Sequence, residues 1–483
     1  MRGALGLLVG ALLAAAPARA QEGTQCNFQG SENHPLQVNR LPSGQSNTFT
    51  GGGVVIRCPA RSIVLRADSL EFYGDERRIY LVGNVDYNEP RLKLTSDQLT
   101  YFVPDERVLA TGRVNATLPS GSRLVGPQAE YRRAAPAIRT VSEMTAIGRP
   151  SVTLVEGPSV RRDSAAARRD TARPPTVVTA NTLFVRGDSL IYGSGQVDIR
   201  RPDLTAKSDS VFLDTGREFM RLLRSPRIDG TRDRPYRLSG QVIDVHSRNR
   251  QLERVLAKGS GSAVSEDMTL TADTIELRVA ADLLQRAVAW GPAGARAVSP
   301  TQTITADSIT AAMPNQRVQT VTASRRAYAE AKPDTVRVRT AEKDWLRGDT
   351  IVARFDTTAA APTDTSRQPR IRQLVATGDA RSLYHMAPSD STKREPAINY
   401  VTGEVITVAF DSGRVARVTV AGQRSGVYLE PSDSAVTSPP APPRARDATP
   451  STAPAPRQPA PTPPRRPSPA AGQAPERPAR RGR

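Results

Sequence analysis

The sequence predicts an all-β protein built as an extended antiparallel meander. Three observations carry this: apolar residues alternate with period two over most of the chain, two short turn-forming units recur along it, and helical periodicity is almost absent. The one stretch that could pass for a helix, Ala280 to Ala289, lies between strand-like units.

Taken in order, residues 1–20 read as a secretory signal peptide. Arg2 is followed by the apolar run Leu5 to Ala16 and by Ala18-Arg19-Ala20, a small-residue cleavage site. The run is shorter than the roughly 20 residues that a spanning helix needs. An exported, periplasmic and soluble mature protein follows, possible association with the outer membrane included among the expected locations. Residues 21–60 form an N-terminal arm carrying both cysteines, Cys26 and Cys58. In an oxidising space a disulfide between them would stabilise the chain by roughly 3 kcal/mol, two unpaired thiols being the alternative.

Residues 61–158 hold the clearest strand pattern. Ile79, Leu81, Val85 and Tyr87 share one parity around Gly83, and Tyr80, Asn84 and Asp86 take the other. Leu99, Tyr101 and Val103, then Val108, Ala110, Val114, Ala116 and Leu118, repeat the pattern across a turn at Pro104-Asp105-Glu106, so Leu99 to Leu118 reads as a hairpin. Residues 159–178 are expected to be a linker, because Arg161 to Pro175 breaks the pattern with charge, alanine and a double proline. Further β-repeats are expected over 179–430, with a surface insertion at Thr357 to Arg370. Residues 431–483 read as a disordered basic tail, in which 434–483 is rich in proline and arginine against only Asp447 and Glu476.

The first recurring unit is Asp, a hydroxyl or amide residue, then an aliphatic one: Asp68-Ser69-Leu70, Asp97-Gln98-Leu99, Asp188-Ser189-Leu190, Asp209-Ser210-Val211, Asp273-Thr274-Ile275, Asp307-Ser308-Ile309 and Asp349-Thr350-Ile351. The second is Gly, a polar residue and Val, at Gly83, Gly112 and Gly195. Aspartate suits a corner because its carboxylate accepts backbone N–H bonds two residues on. Glycine supplies the positive φ or bulge that bends a strand. Asp68, Gly83, Asp97, Gly112, Asp188, Gly195, Asp209, Asp273, Asp307 and Asp349 are therefore expected at corners where strands run out, fold over and run back.

These equivalent aspartates do not converge on one point, as catalysis requires, and they are spaced too widely for calcium-binding nonapeptide repeats. His34, His246 and His385 lie far apart, and no phosphate loop, nucleophile elbow or zincin motif occurs. No catalytic residue, metal ligand or cofactor site is expected, and Trp290 and Trp345 read as packing residues rather than ligand platforms, the alternative being that either caps an apolar groove. The formal charge of +19 would suit nucleic acid in the cytoplasm, but after export the available polyanions are phosphorylated lipid headgroups and glycans. With aromatics at 5%, stacking platforms for single strands are also scarce, so no nucleic-acid partner is expected.

The segment Ile63 to Tyr131 resembles the OstA-type family of lipopolysaccharide-transport proteins, which includes the periplasmic bridge protein and the N-terminal domain of the outer-membrane assembly protein. The matching residues are Ala67-Asp68-Ser69-Leu70-Glu71-Phe72-Tyr73, Gly83-Asn84-Val85, Thr95-Ser96-Asp97-Gln98-Leu99-Thr100-Tyr101 and Ala110-Thr111-Gly112-Arg113-Val114. Looser copies lie at Thr179 to Tyr192, Leu270 to Leu277, Thr303 to Ile309 and Gly403 to Leu429. The resemblance implies a β-jellyroll folded into a V, here repeated, with lipid A acyl chains in an apolar groove. It implies as partners lipopolysaccharide or a similar glycolipid and other transport proteins, met by end-to-end strand stacking or by self-association. Groove candidates are Leu70, Phe72, Leu81, Val85, Leu99, Tyr101, Val114 and Leu118. The alternative is a non-catalytic spacer or envelope interaction protein, its basic tail contacting an anionic surface.

Overall fold

The computed structural model describes residues 26–154, 175–202, 204–230, 235–249, 251–266, 268–281, 283–314, 317–333, 340–356, 371–386, 395–411 and 414–431. The signal peptide, most of the expected linker, the insertion at 357–370 and all but the first residue of the expected tail lie outside them. Among the described residues the chain is all-β, with thirty strands, one short 3₁₀ turn at Pro59–Arg61 and no α-helix. Every pairing is antiparallel, and most join strands that are neighbours in sequence. The stretch that could have been a helix is the strand Leu283–Val298.

The long strands each belong to two ladders. In Arg78–Glu89, the first half pairs with Ser69–Tyr73 and the second half with Ile63–Ala67. Its pairing with Leu92–Phe102 shifts register between Val82 and Val85, at Gly83-Asn84. The same break recurs between Ser194 and Val197, Lys258 and Gly261, Thr305 and Ser308, Ser324 and Ala327, and Thr377 and Ala380. We call ladder I the one that begins with Gln37–Arg40 and Ser46–Thr50, and ladder II the one that begins with Asn27–Gly30 and Val54–Cys58. Ladder I ends on Arg414–Ala421 and ladder II on Ser425–Leu429.

The two ladders face each other. The ring of Phe28 in ladder II lies 5.0 Å from that of Phe72 in ladder I, and Tyr87 lies 6.4 Å from Tyr131 in the same sense. Period-two alternation therefore turns every second residue of both ladders into one shared interior, a single apolar cluster from Val54 to Val408. Leucine, isoleucine and tyrosine fill its first part. From Ala287 onward alanine dominates, as at Ala289, Ala297, Ala311, Ala323, Ala353 and Ala376.

Two expected boundaries fall inside this sheet. The strands Glu143–Ile147 and Ser151–Leu154 pair with Thr182–Arg186 and Thr176–Thr179, so the ladders continue across the expected linker. The first three residues of Thr176–Thr179 lie within 159–178, where the double proline hid the short strand after it. The cysteine arm likewise contributes the first rungs of both ladders, and Cys26 is disulfide-bonded to Cys58.

Candidate functional site

The interior between the ladders has a bent side, where each strand crosses from one ladder to the other, and a side where the hairpin tips meet. On the bent side, consecutive left-handed residues make the turn. Gly83 and Asn84 have φ of 80° and 45°, Gly112 and Arg113 75° and 43°, Gly195 and Gln196 74° and 48°. Asp68 packs against Gly83, Asp97 against Gly112, Asp273 against Gly291 and Asp349 against Gly378. In each pair a Cβ on the glycine would fall within 2.2 to 2.4 Å of the aspartate side chain.

Asp68, Asp97, Asp209 and Asp307 act across strands rather than two residues along their own, while Asp273 accepts from the adjacent Thr274 hydroxyl at 3.0 Å. Asp68 accepts from the Asn84 side chain at 2.9 Å, Asp97 from Arg113 Nε at 2.8 Å and Asp307 from Arg326 Nε at 2.8 Å. Asp209 accepts from Arg224 at 3.2 Å, opposite the left-handed pair Arg224-Ser225. The backbone supports the same junction, Asp68 N–H donating to the Gly83 carbonyl at 2.9 Å. This corrects the local-turn geometry expected for these residues: the preceding and following residues are already committed to a ladder, so the free acceptor is used by the neighbouring rung.

Asp188 is a further correction. It sits in the hairpin turn between Thr182–Arg186 and Leu190–Arg200, at a tip of ladder I, and ion-pairs with Arg91. The corner position beneath Gly195 belongs to Asn181, whose N–H donates to the Gly195 carbonyl at 2.8 Å.

Of the eight groove candidates, Leu70, Leu81, Val85, Leu99, Tyr101, Val114 and Leu118 are buried, and Phe72 is half-buried against Phe28. Leu99, Tyr101 and Val114 have no exposed surface at all. These residues share one interior, but in this structure they form closed core and do not border an open trough. Alternation identifies which face points inward and carries no information on whether the facing ladder covers it.

What covers it is polar, and the sequence reading passed over it. Arg133 Nε donates to Glu89 at 2.7 Å, and the Tyr87 hydroxyl donates to the same carboxylate at 3.1 Å, joined there by the Tyr131 hydroxyl. Tyr101 donates to Glu106 at 2.9 Å, Arg61 Nε to Glu106 at 2.5 Å, and Arg133 to the Arg61 carbonyl at 2.7 Å. Arg61 and Glu89 belong to tips of ladder II, Glu106 and Arg133 to tips of ladder I. Two glutamates, two arginines and three tyrosines thus clasp the ladders together opposite the corners. Burial, followed by the neighbouring glutamate charge, pushes the three phenols up from their ordinary value, so all three remain neutral donors.

Toward the last rungs the interior is less covered. Phe355, Leu374, Phe410, Val415, Val418 and Val420 pack against the core but are only half-buried. In the last strand of ladder II, Ser425–Leu429, every residue is exposed.

No family model matches the chain, and no curated protein matches it.

Proposed function

We propose that the chain is an exported, non-catalytic β-scaffold of the lipopolysaccharide-transport type, its ladders folded as a V-shaped jellyroll that holds acyl chains in the apolar interior. The observation that carries this reading is the gradient of closure. The interior is apolar from end to end, clasped shut around Leu99 and Tyr101, and partly uncovered around Leu374, Phe410 and Val418. An acyl chain entering at these last rungs gains about 0.8 kcal/mol per CH₂ removed from water, with no demand for a particular methylene. The terminal strands Arg414–Ala421 and Ser425–Leu429 each pair on one side among the described residues, and Val427 and Leu429 are exposed there. A strand from a second chain, of the same or another transport protein, could continue the ladders at that edge.

Photocrosslinking in cells, with probes at Phe410, Leu374 and Tyr101, tests the reading. Glycolipid adducts at Phe410 and Leu374 with none at Tyr101 are expected. Absence of lipid at all three positions, in protein shown to be folded and exported, would refute it. The second reading, a spacer that carries no lipid, is favoured by the fully closed core around Leu99, Tyr101 and Val114, and that refuting result is the one it anticipates.

A further inference from the structure

On the outer face of ladder II, away from the shared interior, a cleft of about 500 Å³ lies beside the bend, walled by Tyr328, Trp345, Arg347, Asp349 and Asp379. Cleft volumes of this order suit small ligands. The Tyr328 and Trp345 rings are stacked, with centroids 6.3 Å apart and planes 29° apart, and Tyr400 meets the far edge of Trp345 at 6.1 Å. Sheet register explains the wall. Tyr328 is opposite Arg347, and Trp345 is flanked on the next strand by Leu383, itself opposite Tyr400. Leu346 faces the interior, so its neighbours Trp345 and Arg347 must face out.

The charges are arranged unevenly. Arg347 stands directly opposite Arg381 across the strand pair, a like-charge placement that costs stability unless something compensates it. Arg381 is compensated by Asp379 at 2.9 Å, and Arg326 at the rim by Asp307 at 2.8 Å. Arg347 has no hydrogen-bond or ion-pair partner among the described residues. Its guanidinium is exposed beside the aromatic wall.

We propose that this cleft binds an acidic sugar, with the pyranose ring against Trp345 and Tyr328, its anionic group on Arg347 and its hydroxyls donating to Asp349 and Asp379. A ring with one apolar face fits an aromatic wall, a phosphate or carboxylate fits the two-pronged guanidinium, and carboxylates accept from hydroxyls. A bare anion would have no use for the rings, and a neutral sugar none for the unpaired cation. The proposal does not depend on the occupancy of the interior.

Trp345 reports on its own site once the other tryptophan is removed, so the experiment uses full-length mature W290F protein and follows fluorescence during titration with glucose 6-phosphate, glucuronate, glucose and inorganic phosphate. Saturable changes with the two acidic sugars, both tighter than glucose or phosphate, are expected. R347Q should weaken the acidic sugars by about tenfold or more while leaving glucose nearly unchanged, and R424Q, which removes an exposed charge elsewhere, should change neither. Equal responses to phosphate and glucose 6-phosphate, or equal losses in R347Q and R424Q, would overturn the proposal by reducing it to attraction between a basic protein and any anion. Unchanged thermal midpoints in the variants exclude misfolding as the cause. Lipopolysaccharide micelles that displace glucose 6-phosphate would identify a lipid-borne headgroup as the source of the sugar, and failure to displace it would identify a free or polymer-borne one.

Discussion

Arg133 and Glu89 join across the hairpin tips, with the Arg133 Nε 2.7 Å from a carboxylate that is only 3% exposed. Neither residue could be left alone there. Replacing Glu89 by alanine takes its nearest carboxylate from a largely covered guanidinium, leaving it Glu106 at 3.7 Å and the Arg61 carbonyl, and removes the acceptor of two buried phenols. The loss should be about 3 to 5 kcal/mol, the usual consequence of breaking one side of a buried ion pair. E89Q keeps an acceptor for Tyr87 and Tyr131 and should lose less. Urea unfolding of the mature protein would show this order, and an E89A midpoint equal to that of the parent would mean that the clasp does not hold the ladders.

The bends make a prediction that separates conformation from contact. Gly83 has φ of 80° with the Asp68 carboxylate 2.3 Å from where its Cβ would stand, whereas Gly187 has φ of 61° and nothing within 4 Å. G187A should cost about 1 kcal/mol, the conformational penalty alone. G83A must also displace Asp68 and should cost about 2 to 3 kcal/mol. Equal effects in denaturant titrations would show that the aspartate yields freely and does not brace the bend.

The difference between these sites also shows what could be read from the chain. Alternation around Gly83 places Ile79, Leu81, Val85 and Tyr87 inward, and all four are buried. Asp188 was legible as a repeat unit but in the wrong frame, since the corner beneath Gly195 is taken by Asn181, an amide that the aspartate pattern does not match. At Arg325-Arg326 and Arg224-Ser225 the left-handed bend is made without glycine, so no local signal marks it. The clasp was invisible for another reason. Arg61, Glu89, Glu106 and Arg133 each look like a solvated turn residue, and only the facing of two ladders brings together groups more than forty positions apart.

Acid should weaken the outer face of ladder I. Asp244, with a side chain 4% exposed, accepts from Arg221 at 2.7 and 3.0 Å and from Lys258 at 3.1 Å. Burial would raise its carboxyl, but these bonds and charges outweigh burial and hold it below the ordinary 3.8. Glu276, bonded to Arg278 at 2.6 Å and Arg254 at 2.7 Å, is held below 4.5 by the same balance. A carboxyl depressed in the folded state contributes stability above its unfolded value and loses it as pH falls through the folded one. The contribution of both should be constant at neutral pH and decline once pH drops below roughly 4. Stability measured from pH 7 to pH 3 should fall more steeply in the parent than in D244N. Parallel curves would show that Asp244 is ionised with no net benefit.

The disulfide bears on the opposite end of ladder II. Cys26 and Cys58 bracket a separation of 32 residues, and Asn27 pairs with Arg57 next to the bridge. Restricting a loop of that length in the unfolded chain is worth about 4 kcal/mol on the entropy model, a little more than the roughly 3 kcal/mol expected from the sequence. Only four residues, Asn27–Gly30, pair along this edge, and their outward positions are exposed, so the strand has little else to keep it in place. Reduction should therefore release the edge strand before the ladders unfold. Hydrogen exchange at residues 27–30 should quicken in the C26S/C58S double variant while Leu94 and Leu99 stay protected, and the global midpoint should fall by less than the full loop term. Unaltered protection at Phe28 would show that its packing on Phe72, 5.0 Å away, suffices to hold the strand without the bridge.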